Sequence, residues 1–106
     1  MLQPQEIIPQ FKQAMSEIYG PRLERVVLYG SYARGDFHDD SDLDFMVVLK
    51  DAKVSASSEI KRVSDVLWSL WEKSHTTIHF LPITSNKFHT GQTPLLYWIR
   101  KEGRDI

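Results

Sequence analysis

Apolar residues recur at steps of three and four from Ile8 through Phe11, Met15 and Ile18, one stripe of an amphipathic helix that ends at Gly20-Pro21. Pro9 belongs in a first helical turn, so Pro4 to Ile8 reads as a separate turn or an offset opening segment. Leu23 to Tyr29 is short, β-branched and apolar towards its end, and it stops at Gly30, which predicts a strand. Ser31 to Arg34 reads as a brief helical turn, and the polar run Gly35 to Ser41 as a loop. Leu43 to Leu49 is apolar on both faces after its first residues and predicts a strand interior to a sheet.

Lys50 to Ser58 reads as a connection. Ser57 or Ser58 then caps a helix whose apolar positions Ile60, Val63, Leu67, Leu70 and Trp71 keep helical spacing to about Lys73, with Trp68 and Trp71 expected in the core. Thr76 to Leu81 predicts a third strand, closed by Pro82. Thr93 to Glu102 has Thr at the N-cap, Pro at the first helical position and Gly103 just past the end, the signature of a last helix. Three strands and three main helices predict an α+β fold, a small mixed β-sheet with helices packed on it.

Length and charge narrow the picture. The 106 residues suit one compact domain spanning 1–106. Thirteen basic residues face 14 acidic ones, for a formal net charge of -1. A chain that grips polynucleotide through phosphate contacts shows a basic excess, so nucleic acid is not the expected ligand and a small substrate or a protein is. The absence of cysteine excludes disulfides, thiolate zinc sites and a cysteine nucleophile. MLQPQEIIPQ lacks the basic start and apolar stretch of a signal peptide, and no window approaches the roughly 20 apolar residues of a membrane span, so a cytoplasmic location away from membranes is expected.

Candidate chemistry lies between the first two strands. Gly30-Ser31 is followed by ten residues and then Asp42-Leu43-Asp44. Strand alternation sends Asp42 and Asp44 to one face and Leu43 and Phe45 to the other. Two converging carboxylates repel one another and call for a cation, and oxygen-only ligands favour Mg²⁺ or Mn²⁺. Gly30-Ser31, at the end of a strand, aims backbone N–H groups and a hydroxyl at an anion, and Arg34 one turn later can add a charged fork to a phosphate or form a surface ion pair. Such a cradle beside such a pair is what phosphoryl or nucleotidyl transfer requires. A chance match is expected in on the order of one in a thousand chains this long.

The stretch GSYARGDFHDDSDLDFMVV resembles the signature of the DNA polymerase beta nucleotidyltransferase superfamily, especially its minimal nucleotidyltransferases, in which GS, ten residues and DxD recur with an ARG and an SD in these places. The resemblance implies a polymerase-beta-like palm in which Gly30 and Ser31 hold a nucleotide triphosphate and Asp42 and Asp44 bind Mg²⁺. It further implies that an NTP, often ATP, donates a nucleotidyl group with loss of pyrophosphate. Minimal members are similar to the antitoxins paired with HEPN-domain toxins, some of which attach AMP to a tyrosine of the toxin. A HEPN-type protein partner, in a homo- or hetero-oligomer, is thereby implied.

One departure stands out. The superfamily carries a third carboxylate on a later strand, where this chain has His79. A neutral imidazole accepts a proton near pH 7 but is a poorer Mg²⁺ ligand than a carboxylate. Catalysis by Asp42, Asp44 and His79 is therefore weighed against two rivals: a catalytically weak binding module that neutralises its partner by contact, and a subunit that modifies a small molecule such as an aminoglycoside. His38, His75 and His89 show no metal-like spacing and are expected at the surface; Asp36 and Asp40 are assigned no role. Tyr97 and Trp98 are expected in core packing or a protein contact rather than against a base.

Overall fold

The computed structural model describes residues 1–106 in the order α1 (Pro4–Tyr19), a 3₁₀ turn (Gly20–Arg22), β1 (Leu23–Tyr29), α2 (Ser31–Arg34), β2 (Leu43–Leu49), α3 (Ala56–Ser74), β3 (Ile78–Thr84), α4 (Ser85–Thr90), α5 (Pro94–Glu102) and β4 (Arg104–Asp105). The fold is α+β, with a mixed sheet of strand order β3-β2-β1-β4. Strand β1 is antiparallel to both neighbours, and β3 is parallel to β2. No helix is long and apolar enough to cross a membrane.

Strands β1 and β2 have the bounds that their apolar runs predict. Side-chain alternation divides the sheet between two cores. On one face Val26, Leu28, Phe45, Val47 and Leu49 meet α1 and α3, with Phe11 stacked on Phe45 at 4.0 Å between centroids. On the other, Val27, Met46 and Val48 meet Phe88 of α4 and Leu96 and Ile99 of α5. Each such side chain contributes roughly 1.5–3 kcal/mol by leaving water.

The first helix starts at Pro4, not near Ile8, and runs through Pro9. Proline at its first position lacks only an N–H that no helix could pair, and Gln3 with Glu6 closes a capping box. Pro9 removes one later N–H, a loss offset by a buried face of Ile7, Phe11, Met15 and Tyr19. Helix α3 is preceded by Ser55 at its N-cap rather than by Ser57 or Ser58.

Two further expectations fail for reasons of position in the fold. Strand β3 runs past Pro82 to Thr84, because it is an edge strand on which a missing N–H faces no partner. Trp68 and Trp71 are not in the core: they are 62% and 39% exposed and stack on each other at 5.3 Å, with Trp71 also against His75. Helix α3 turns Val63 and Leu70 inward instead and leaves Ile60 exposed. Tyr97 and Trp98 are likewise exposed, with the Lys101 ammonium over both rings. The six-residue α4 and the two-residue β4 were not anticipated.

Candidate active site

The hydrophobic requirement of the α1 and α3 core sets the carboxylates. Leu43 and Phe45 are fully buried in that core, which leaves Asp44 on the opposite face, with Asp42 just ahead of β2 beside it. The register places Asp44 between Tyr29 of β1 and His79 of β3, so these three residues form a row across three strands. A hydrogen bond from the Leu43 N–H to the Thr77 carbonyl, 3.0 Å, ties the start of β2 to the approach to β3. His79 Nε2 then lies 2.9 Å from Asp42 Oδ2, both side chains about half exposed. The histidine stands beside the pair, as alternation from Ile78 and Phe80 predicts.

Gly30 has φ +75° and ψ -156°, a conformation in which a side chain is strained. A Cβ there would overlap Asp44 Oδ2. The bare glycine therefore lets the turn close against the carboxylate. Ser31 opens α2, whose first two amides, those of Ser31 and Tyr32, have no carbonyl one turn behind them. The Gly30 carbonyl accepts from the Ala33 and Arg34 N–H groups, each at 3.1 Å, and holds the turn tight. Arg34 pairs with Asp36 at 3.2 Å on the surface.

Burial pushes the Asp44 carboxyl above the ordinary aspartate range; His79 and Arg34 oppose the shift and the charge of Asp42 adds to it. Burial, with Asp44 second, also pushes the Tyr29 phenol up. Sequence reasoning overlooked Tyr29; its place one residue before Gly30, on the strand paired with the Asp44 strand, was the available signal.

The model of the nucleotidyltransferase domain family matches residues 8–94 of this chain. The chain belongs to that family. It is similar to two Methanocaldococcus jannaschii proteins that bear the name protein adenylyltransferase as a provisional one. One is 48% identical over 46 residues, 43% of this chain and 46% of the relative. The other is 39% identical over 44 residues, 42% and 44% of the two chains. The matched region thus spans less than half the length of these curated relatives.

Solved structures share the fold. A chain of a toxin–antitoxin crystal structure with AMP-PNP superposes with a TM-score of 0.64 at 18% identity, over 91% of this chain and 69% of that one. A provisionally named minimal nucleotidyltransferase superposes with a TM-score of 0.61 at 18% identity, over 99% and 97% of the two chains.

Within a nucleotidyltransferase domain the donor set is informative. No three His, Asp or Glu groups are arranged as a self-sufficient metal site. Two carboxylates on one face nevertheless fit Mg²⁺, which commonly takes one or two carboxylates and completes its shell with water and substrate phosphates. The half-buried, like-charged pair at Asp42 and Asp44 is the kind of site a cation relieves.

Proposed function

We propose that this nucleotidyltransferase domain transfers AMP from ATP to a hydroxyl of a partner protein, with a HEPN-type toxin as the partner that its sequence resemblance implies. The observation that carries the reading is the convergence of Gly30, Asp42, Asp44 and His79: the turn closes onto one carboxylate and the imidazole onto the other. Gly30 and Ser31 seat the triphosphate, and Arg34 exchanges Asp36 for a phosphate oxygen. Asp42 and Asp44 would hold Mg²⁺, which supplies charge neutralisation at the phosphates.

The acceptor oxygen attacks the α-phosphorus as its bond to the pyrophosphate oxygen breaks, and pyrophosphate leaves. The hydroxyl proton passes to the unprotonated nitrogen of the His79 imidazole, whose Nε2–H donates to Asp42 Oδ2 and holds the ring in place. Tyr29 walls the site on the β1 side and excludes water from Asp44.

The test is transfer of label from ATP marked at the α-phosphate to a co-expressed partner, in Mg²⁺. Transfer undiminished in an Asp42→Ala, Asp44→Ala double variant would sink the mechanism. One observation favours a second reading, an antitoxin that acts by contact alone: His79 engages one of the two Asp42 oxygens, Oδ2, and competes with a cation there. Neutralisation of the partner without nucleotide or Mg²⁺, and with no label transferred, selects that reading.

A further inference from the structure

The face of the sheet that carries Asp44 and His79 also carries a cavity of about 790 Å³. Its floor is Met46, Leu81 and Ile83, and its far wall is Leu95 and Leu96 of α5. Met46 is one same-face step beyond Asp44 on β2, and Leu81 one step beyond His79 on β3. Such a step is roughly 7 Å. The cavity thus opens beside the carboxylates without including them. The hollow of about 530 Å³ between α1 and α3 lies across the sheet from them.

Direction decides what the cavity holds. Strand β1 runs past its Tyr29–Asp44 pairing to Gly30 and Ser31, so the phosphate turn lies off the end of the sheet. Met46, Leu81 and Ile83 lie the opposite way, deeper in the sheet. Transfer at phosphorus is in line, with the attacking and leaving oxygens on opposite sides. If pyrophosphate departs towards Gly30 and Ser31, the acceptor enters from the cavity side.

Charge decides the acceptor's chemistry. Lys53 and Lys87 stand at the rim, no aspartate or glutamate lines the cavity, and neither lysine is in an ion pair. In a chain of net charge -1 this is a locally cationic mouth over an apolar floor.

We propose that this cavity is the acceptor-docking site, and that it takes a polypeptide segment with an apolar side chain next to the hydroxyl-bearing residue and acidic residues beyond that side chain. The apolar side chain fills the space over Met46 and Leu81, the hydroxyl reaches His79, and the acidic flank meets Lys53 and Lys87. The proposal rests on the nucleotidyl-transfer reading, since the in-line argument supplies the direction.

The experiment is an amide NMR titration of the whole chain with two synthetic peptides, each a leucine next to a tyrosine, one with glutamates beyond the leucine and the other with lysines there. The glutamate peptide is expected to shift the signals of Lys53, Leu81, Ile83, Lys87 and Leu95. The lysine peptide is expected to need about tenfold more to do so. A Lys53→Glu, Lys87→Glu variant, changed only at exposed side chains, is expected to reverse the preference. Equal response to both peptides, no response to the glutamate peptide, or shifts confined to another surface overturns the proposal.

A parallel titration with Mg²⁺ and ATP separates the two readings. Shifts at Gly30, Ser31 and Asp44 that leave the cavity signals in place support the assignment. ATP shifts centred on Leu81, Ile83 and Leu95, with the peptide displaced, make the cavity the nucleoside's and overturn it. Failure of label transfer with the peptide result intact counts against the catalytic reading and not against the docking site.

Discussion

Gly30 and Asp44 compete for one volume: the place where residue 30 would carry a Cβ is taken by the Asp44 carboxylate. Gly30→Ala must either push that carboxylate aside or open the turn, and the backbone at φ +75° penalises it independently. Its cost is expected at roughly 1–3 kcal/mol in urea unfolding. Loss of Mg²⁺-dependent ATP binding, measured by calorimetry under conditions where the variant is still folded, is expected to be larger than the stability loss explains.

Asp44→Asn is expected to stabilise the fold while removing transfer. The folded-state pKa of Asp44 is raised, chiefly by burial, so the folded chain holds this proton more firmly than the unfolded chain does. Its contribution favours folding below the unfolded-state pKa and is lost as the pH rises through the raised folded-state value. At neutral pH the ionised group opposes folding, and the amide does not. Thermal melts from pH 3 to pH 7 check this: the variant should melt above the parent at pH 7, with the gap closing as the solution is acidified.

His79→Gln keeps a polar group near Asp42 but cannot take up a proton. Turnover is expected to fall by roughly 10²–10⁴-fold, with the dissociation constant for ATP and Mg²⁺ within about twofold of the parent. His79→Asp supplies the carboxylate of the wider superfamily and is expected to tighten Mn²⁺ binding, measured by paramagnetic resonance. Equal turnover in His79→Gln and the parent would leave the imidazole without a part in proton transfer.

Trp68 tests the packing. It is exposed and keeps one stacking partner, Trp71, so Trp68→Ser is expected to cost no more than about 1 kcal/mol. A core tryptophan cut back this far would cost roughly 3–5 kcal/mol. Thermal melts distinguish the two, and acrylamide should quench much of the parent's indole fluorescence.

What could be read from the sequence was what the chain decides locally. The runs of β1 and β2 end at Gly30 and at a polar loop, and α5 is bracketed by Thr93, Pro94 and Gly103, so their limits were evident. Pro82 looked like a stop because edge position is a property of the sheet. Trp71 kept helical spacing and Trp68 was expected in the core with it, but the sheet ends at β3 and both rings stay largely at the surface. Arg104 and Asp105 pair with β1 over only two residues, with the Arg25 guanidinium 3.4 Å from Asp105 Oδ2, and carry no strand pattern. The Gly30 to Asp44 segment was legible for the same local reason. The row from Tyr29 through Asp44 to His79 depended on a register between strands, and the cavity beyond it on where α4 and α5 come to rest.

The strand order has a consequence for how the site fluctuates. Strand β2 is hydrogen-bonded on both sides, whereas β3 is bonded on one. Transient opening releases edges before centres. Amide exchange at Asp44 therefore follows global unfolding, while His79 can be released by fraying that leaves the carboxylate strand intact. Whatever binds across Asp44 and His79 joins an interior strand to an edge strand, and its grip should be read most clearly in slowed exchange along β3.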